Sequence, residues 1–344
     1  MIDWFRGEIP FLHLPIPAGR MLSIESDGTV EWECVKANVV RGSHESAIKI
    51  RSSGGDGQGR ATTLLIDGNL CKFLQGHNIM GSRDLNTLVL LSFRKIVSFH
   101  IAHFTGSSSP ELTEAKIKRG AYLVKMVDIN QLYDVGNDLS VEAWLHAAHM
   151  RAVSRHGRAN RDKGTVYLGQ HSRRWSIKFY NKFRELSGGK SHALPDDLQG
   201  IGLEEFIVGK LRAELRLHAK ELQDRHGVTQ GKHLTPSIIQ SIFNQYLGKI
   251  DMANQVTLHD EQLVKLPRTL LGTYQLWRQG ADVRGLLSRS TYSRHRRELQ
   301  IYGIDIAAMP ADQETNNVVP LIRIIEAVPV STPKWMYERG LIAA

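Results

Sequence analysis

Two stretches of the sequence alternate between apolar and polar residues at every second position, and they constrain the fold most. Residues 175–182 (WSIKFYNK) place tryptophan, isoleucine and phenylalanine on one side, and serine, lysine, tyrosine and lysine on the other. Residues 211–218 (LRAELRLH) place leucine and alanine on one side, and arginine, glutamate and histidine on the other. A period of two is typical of a strand with one buried face. The sequence therefore predicts two half-buried strands whose open faces are rich in cations.

Tyr180 falls on the open side of the first strand, between Lys178 and Lys182. An unperturbed phenol has a pKa of ~10, and neighbouring lysines favour the phenolate. We therefore expect an outward-facing Tyr180 that can attack a phosphodiester. The alternative is a packing tyrosine with a hydrogen-bonded hydroxyl, which is the more common role of a tyrosine in a strand.

Two carboxylates accompany these strands. Glu214 lies between Arg212 and Arg216, and Asp128 lies inside residues 122–135, a long and mostly apolar stretch that predicts a strand. A carboxylate in apolar surroundings needs a partner or a metal. Cross-strand salt bridges on a solvated sheet are an equally good interpretation of the charges around Glu214.

The composition limits the class of protein. The 344 residues carry 44 lysines and arginines against 35 aspartates and glutamates, a net charge of +9, which favours a polyanionic partner. The chain has two cysteines and no signal-peptide pattern, and its most apolar run, residues 85–99, contains Arg94 and Lys95. We therefore expect a soluble protein of a reducing cytoplasm, without a disulfide framework or a membrane span.

A single core rarely grows beyond ~250 residues, so two domains are expected, residues 1–231 and 232–344. The first contains candidate strands, helices at 83–104 and 140–153, and a basic loop at 155–164 that could hold phosphates. The second has a helical pattern at 236–247 and 266–278, a basic helix at 288–300, and a strand at 318–325.

The basic helix has two distinct faces. Tyr292, His295 and Leu299 share one face, while Arg294 and Arg297 lie on the opposite one. A basic amphipathic helix is often only a solvated surface. Here it follows two other helices, so a helix-turn-helix-like DNA-binding region is the better interpretation.

Five motifs, in order along most of the chain, carry a family resemblance: LQGHNIMGSRDL, VDIN, RRWSIKFYNKFREL, LRAELRL and NNVVPLIRIIE. With these motifs the chain resembles the gene II/X replication initiation proteins of filamentous single-stranded DNA phages. The resemblance implies an α+β fold, with an antiparallel sheet flanked by helices and then a mainly helical DNA-binding region. It also implies a rolling-circle initiator that nicks origin DNA, becomes joined to the 5′ phosphate through a tyrosine, and later rejoins the strand.

The resemblance assigns roles to particular residues. It implies that Tyr180 is the nucleophile with Lys182 and Lys178 beside it, and that Asp128 and Glu214 hold Mg²⁺ or Mn²⁺. The cations expected to contact DNA are Arg173, Arg174, Arg212, Arg216, Arg289, Arg294 and Arg297. The implied partners are duplex and single-stranded origin DNA and, in the host bacterial cytoplasm, the host helicase and polymerase.

Two features depart from the wider nicking-enzyme superfamily. There is no His-hydrophobic-His triplet, since His100 and His103 have the wrong spacing, and the usual two or three residues between tyrosine and lysine are reduced to Asn181 alone. Two other functions remain open. A non-enzymatic origin-binding protein or repressor would use the sheet only as a scaffold, whereas a tyrosine recombinase normally carries its tyrosine near the C-terminus, unlike Tyr180.

Overall fold

A computed structural model of the protein describes most of the chain. The described residues are 1–42, 44, 46–100, 104, 110–155, 157–189, 193–250, 266–302, 304–308 and 329–343. His103 and the strand expected at 318–325 lie outside these residues.

Within this part of the chain the strands range from 2 to 12 residues in length. In chain order they are β1 (Ile2–His13), β2 (Arg20–Ile24), β3 (Val30–Val35), β4 (Asn38–Arg41), β5 (Ala47–Ser53), β6 (Ala61–Asn69), β7 (Leu123–Asp134), β8 (Val153–Ser154), β9 (Gly157–Arg158), β10 (Asn160–Asp162), β11 (Thr165–Leu168), β12 (Trp175–Asn181) and β13 (Lys210–His218). The sequence pattern predicts one strand over residues 31–40, which the structure divides into parts of β3 and β4.

The helices that the structure describes follow the same order. They are α1 (Leu70–Gln75), α2 (Leu85–Phe99), α3 (Pro110–Lys118), α4 (Asp138–Arg151), α5 (Lys182–Ser187), α6 (Leu203–Ile207), α7 (Ala219–His226), α8 (Pro236–Leu247), α9 (Arg268–Arg278), α10 (Val283–Leu286), α11 (Arg289–Gln300) and α12 (Lys334–Glu338). Among them, no helix combines the length and the apolar character that a bilayer crossing requires.

Nine of the strands form one antiparallel sheet in the order β10-β11-β12-β13-β7-β1-β6-β5-β4, which confirms the predicted α+β class. The two alternating stretches become β12 and β13, which pair directly. Strand β1 has no counterpart among the predicted strands, although it lies inside the sheet. At Gly7 of β1 a side chain is excluded, because a Cβ would lie 2.6 Å from the carbonyl oxygen of Leu123 on β7.

One predicted turn is wrong. The residue types Asp-Gly-Asn at 67–69 predict a turn that closes a strand, but these residues continue β6 and pair with residues 4–6 of β1. Residue types that favour turns can still lie in a strand when a neighbouring strand provides hydrogen-bond partners for their backbone N–H and C=O groups. Asn69 ends this strand and caps α1, since its side chain accepts a hydrogen bond from the amide of Lys72.

The main apolar core covers one face of the sheet, which agrees with the predicted alternation. Residues on the apolar sides of β12 and β13 are essentially unexposed and pack with α2, α4 and α8.

The N-terminal caps of two helices differ from those that the sequence predicts. The sequence predicts Ser82 and Ser140 as the N-terminal caps, but Asp84 caps α2 and Asn137 caps α4, in each case through a side-chain oxygen that accepts a backbone N–H.

A second apolar cluster covers the opposite face of the sheet. Its buried members are Ile79, Met80, Leu132, Leu186, Leu194, Leu198, Leu203, Ile207, Met336 and Leu341. The C-terminal segment 329–343 is docked into it by backbone hydrogen bonds, with the Val330 amide 2.9 Å from the Leu132 carbonyl. The face that the sequence analysis expected to be open is therefore largely covered.

A third apolar cluster joins α9, α10 and α11. The predicted faces of α11 are confirmed, because Tyr292, His295 and Leu299 are buried whereas Arg294 and Arg297 are exposed. Helix α8 belongs to the main core and residues 336–341 to the second cluster. The boundary between the proposed domains at residue 231 stays a prediction.

The docking of the C-terminal segment generates a prediction about acid stability. His77 is buried, its Nε2 lies 2.9 Å from the Leu341 carbonyl oxygen, and burial lowers the pKa of His77 from 6.5 to about 4. A depressed pKa contributes stability that is present above pH 6.5 and is lost as the pH falls to about 4. Between pH 7 and pH 4 the parent should lose about 3 kcal/mol more unfolding free energy than His77→Gln.

Urea unfolding at both pH values measures this difference. His146→Gln on the exposed side of α4 is the matched control for the loss of a histidine. Equal acid losses in the parent and in His77→Gln would contradict the assignment.

Candidate functional site

Three rows of paired residues cross the polar face of β12, β13 and β7. The rows are Tyr180–Arg212–Leu132, Lys178–Glu214–Asn130 and Ser176–Arg216–Asp128. Directly paired residues of an antiparallel sheet place their side chains on the same face. The pairing therefore brings together the predicted nucleophile, both predicted metal ligands and three of the predicted cations.

Tyr180 does not face outward as expected. Its side chain is 7% exposed, and its hydroxyl donates a hydrogen bond to Glu214 Oε2 at 3.1 Å. Burial, and then the Glu214 carboxylate, raise the pKa of Tyr180 well above 10. The expectation of a phenolate favoured by lysines is therefore wrong for this structure, because the second apolar cluster removes water from this face.

Glu214 connects Tyr180 to Lys178. Its second oxygen, Oε1, lies 2.8 Å from Lys178 Nζ, which is also 5.3 Å from the centre of the Tyr180 ring. Burial opposes the charge of this lysine, but the Glu214 carboxylate prevails and raises the pKa of Lys178. Both oxygens of Glu214 are thus engaged, one by a cation and one by a phenol.

Asp128 forms a two-bond ion pair with Arg216. The guanidinium Nε and Nη2 donate to the two carboxylate oxygens at 2.8 and 2.6 Å. The Asp128 hydrogen bond raises the pKa of Arg216 above its ordinary value. Of the two sequence alternatives, a partner or a metal, the structure provides the partner.

The predicted ligands do not fit a resident divalent cation in this arrangement. Mg²⁺ and Mn²⁺ take oxygen ligands, yet all four carboxylate oxygens of Asp128 and Glu214 already accept hydrogen bonds or ion pairs. The side-chain NH₂ group of the neighbouring Asn130 has no hydrogen-bond partner, but an amide nitrogen has no free lone pair with which to bind a cation. Over the described ranges, no group of three His, Cys, Asp or Glu side chains could hold a metal.

Two predicted cations lie in the interior. Arg212 is 0% exposed and donates to the backbone carbonyls of Asn78, at 2.5 Å, and Ile79, so its burial does not fit the expected DNA contact. Lys182 was expected on the open side of the strand but begins α5. Its buried Nζ donates to Asn78 Oδ1 at 2.9 Å, and burial and then Arg212 lower the pKa of Lys182 to about 8.

Asp3 and Asn78 are site residues that the sequence analysis missed. Asp3 is buried on β1 and accepts hydrogen bonds from the side-chain amides of Asn69 and Asn78. Burial, and then Glu214, raise the pKa of Asp3. A signal was present, since Asp3 interrupts the apolar start of a strand and Asn78 lies within the motif LQGHNIMGSRDL.

The remaining arginines that were predicted to contact DNA differ in exposure and in ion pairing. Arg173 is exposed, whereas Arg174 is occupied by Glu221 at 2.6 Å and Asp224 at 2.9 Å, so Arg174 does not fit a free DNA contact. The three predicted cations of α11 are all exposed: Arg289, Arg294 and Arg297.

A cavity of about 800 Å³ opens beside Tyr180. Its lining includes Tyr167 of β11, which pairs with Lys178, so the two tyrosines lie on the same face of neighbouring strands. The other lining residues are Glu142, Arg161, Lys163, Gly164, Thr165, Lys178, Asn181, Arg184, Glu185 and Gly188. Tyr180 itself lines the cavity, so a ligand there would contact its side chain, and the predicted basic loop at 155–164 supplies Arg161 and Lys163.

Comparisons with known proteins cover nearly the whole chain. Residues 1–257 match the family described as the N-terminal part of the phage replication-associated protein of gene II, and residues 258–342 match the corresponding C-terminal family. The chain is also 44% identical over 335 residues to the replication-associated protein of Enterobacteria phage I2-2, covering 97% of this chain and 95% of the relative. The expected resemblance is thereby confirmed: the chain belongs to the gene II family of phage replication-associated proteins.

Proposed function

We propose that this replication-associated protein initiates rolling-circle replication by nicking one strand of phage origin DNA through Tyr180 and later rejoining it. The observation that carries the proposal is the hydrogen bond from the Tyr180 hydroxyl to Glu214, beside a cavity lined by cations. A tyrosine with an adjacent proton acceptor has the arrangement of an activated nucleophile.

The proposed step is an in-line displacement at phosphorus. The Tyr180 oxygen forms a bond to the phosphorus while the bond from phosphorus to the 3′ oxygen breaks. The phenol proton passes to Glu214, and the leaving 3′ oxygen takes a proton from water. Since Tyr180 has a raised pKa and is protonated at neutral pH, a neighbouring acceptor is what the reaction needs.

Rejoining is the reverse displacement. The 3′ hydroxyl gives its proton to water and its oxygen bonds to the phosphotyrosyl phosphorus, while the bond from phosphorus to the Tyr180 oxygen breaks and Glu214 returns the proton to Tyr180. The linkage that was cleaved is kept in the covalent intermediate, so the cycle needs no nucleotide hydrolysis. Lys178, at 2.8 Å from Glu214 and beside the Tyr180 ring, is placed to stabilise charge that develops on the phosphoryl oxygens.

We assign duplex origin recognition to α11. Its exposed arginines lie opposite a buried face, so the helix can contact a DNA groove without losing its packing. Host helicase and polymerase as further partners, and the host cytoplasm as the location, are proposals that follow from this role.

A requirement for Mg²⁺ or Mn²⁺ stays a prediction. Asp128 and Glu214 could act as ligands only after Arg216 and Lys178 release them. The proposed displacement therefore uses only side chains of the protein, and metal dependence is a separate question that the variant Glu214→Gln addresses.

The nucleophile assignment predicts the effect of Tyr180→Phe. The ring packing is kept and only the oxygen is lost, so origin binding should persist while nicking of supercoiled origin DNA falls by on the order of 10⁶-fold, below detection. Denaturing gels should show the parent, but not the variant, joined to a 5′ DNA end.

Tyr167→Phe is the matched control, since Tyr167 lines the same cavity. Normal nicking by Tyr180→Phe together with loss of nicking in Tyr167→Phe would transfer the role to Tyr167. A parent that binds origin DNA and leaves it closed would instead indicate a non-enzymatic binder.

Glu214→Gln separates proton transfer from metal binding. The substitution keeps the shape of the side chain but removes the charge, so the nicking rate should fall by ~10²–10⁴-fold. If Glu214 accepts the proton, the Mg²⁺ or Mn²⁺ concentration that gives half-maximal rate should stay that of the parent. A large shift of that concentration would assign Glu214 to a metal site.

Replacing Arg294 and Arg297 by alanine should weaken binding to duplex origin DNA. Each lost phosphate contact lowers the slope of log K against log salt by ~0.9, so two contacts predict a change of ~1.8. Cleavage of a short single-stranded oligonucleotide that carries the nick site should continue.

The matched control is Lys116→Ala with Lys118→Ala, which removes the same charge from the exposed side of α3. Loss of oligonucleotide cleavage with intact duplex binding in the α11 variant would reverse the roles of the two regions.

A further inference from the structure

The lining of the cavity beside Tyr180 contains positive charges in addition to the Lys178 ammonium group that neighbours the tyrosine. Lys178 is paired with Glu214, and Glu185 is paired with Lys182. The cations that remain in the lining are Arg161, Lys163 and Arg184, and the carboxylate that remains is Glu142. The wall away from Tyr180 therefore has two more positive than negative charges.

Two of these cations share one oxygen atom. Arg161 Nη2 and Arg184 Nη1 each lie 3.2 Å from Glu142 Oε2. A charge-assisted hydrogen bond is typically ~2.7–2.9 Å, so neither guanidinium is held at its best distance. One carboxylate thus keeps two arginines side by side while neutralising only one of them.

Three elements place this group. Arg161 lies on the edge strand β10, Arg184 lies in α5 directly after the strand that carries Tyr180, and Glu142 lies in the first half of α4. Asp138, one turn before Glu142, accepts hydrogen bonds from the Asn181 side chain and the Gly209 amide. This contact fixes α4 against the end of β12, and so aligns Glu142 with both arginines.

The turn between β10 and β11 adds a third cation. Lys163 has a φ of 45°, and among the described residues it is the one non-glycine residue with a positive φ. Gly164 follows with a φ of 83°, so the two residues form a tight hairpin turn in a conformation that lysine adopts at a cost. A strained backbone in a cavity wall is often retained for the side chain that it positions.

From this geometry we propose that Arg161 and Arg184, held by Glu142 and assisted by Lys163, form a clamp for backbone phosphates of single-stranded DNA next to the scissile phosphate. This inference rests on the proposed function and extends it to the substrate strand. Paired guanidinium groups match the oxygens of a phosphodiester, and the two excess charges suit two successive phosphates. Side-chain exposures of 28% for Arg161 and 64% for Arg184 leave both accessible to DNA.

Binding of a fluorescent thymidine dodecamer, measured over a range of salt in a Tyr180→Phe background, tests the clamp without cleavage. Arg161→Gln with Arg184→Gln should bind more weakly and should lower the slope of log K against log salt by ~1.4, which is ~0.7 per contact with a single strand. An unchanged slope in a folded variant would overturn the proposal.

The matched control is Arg20→Gln with Arg94→Gln. These exposed arginines also pair with carboxylates, Glu33 and Glu114, but lie outside the cavity. The same net charge is removed, so the slope should stay that of the Tyr180→Phe background. An equal fall of the salt slope in both double variants would mean that DNA binding depends only on the net charge of the protein, and would overturn the clamp.

The double variant Arg161→Lys with Arg184→Lys keeps both positive charges but removes the planar guanidinium groups. It replaces the glutamine variant in this test if circular dichroism shows that the glutamine variant does not fold. We expect the salt slope to be kept and the affinity to fall at least about threefold. Parent-like affinity would overturn the clamp. The binding assay does not measure cleavage, so its result does not depend on which residue is the nucleophile. If the Tyr180 assignment is wrong, Tyr180→Phe will nick DNA; if the clamp is wrong, the salt slope of DNA binding will not respond to the substitution of both arginines by glutamine.

Discussion

Buried charge on the polar face of the sheet is the constraint on which the site depends. Asp128 and Glu214 are almost unexposed, and a charge removed from water is costly unless an opposite charge and hydrogen bonds meet it. The register of β12, β13 and β7 supplies those partners, since Lys178 lies opposite Glu214 and Arg216 lies opposite Asp128. If one strand shifted by one residue relative to its neighbour, its charged side chains would point into the apolar core. The ion pairs and the alternation of apolar and polar residues therefore favour the same pairing register.

The same burial explains the state of Tyr180. On a solvated face its lysine neighbours would favour the phenolate, but behind the second apolar cluster the phenol keeps its proton and donates a hydrogen bond to Glu214. In the mechanism that we propose, this protonated phenol attacks only once a phosphate is positioned beside it. The cation-lined cavity is where we propose that this positioning occurs, so the tyrosine, its acceptor and the proposed phosphate clamp form one unit.

The two proposed DNA-binding regions are built differently. On α11, exposed arginines project from a small helical cluster, which suits contact with a duplex groove. Beside Tyr180, arginines are held in a concave wall by a shared carboxylate, which suits a flexible single strand that must be brought to one atom. Separate surfaces for recognition and for chemistry would let the protein bind its origin as a duplex and cleave it as a single strand.

The sequence by itself determined the features that depend on neighbouring residues. The alternation in residues 175–179 and 211–217 identified the buried face of β12 and β13, and the spacing of Tyr292, His295 and Leu299 identified the packing face of α11, because strand and helix periodicity act locally. The motifs also identified the family correctly. What covers the other face of the sheet was decided only by the tertiary structure. The covering residues lie far apart in the chain, so no local pattern reveals that Tyr180 is buried or that Arg212 lies inside; they include Ile79, Leu186, Leu194, Leu203, Met336 and Leu341. The grouping of Glu142, Arg161 and Arg184 has the same cause, since a helix, an edge strand and a second helix meet only when the chain is folded.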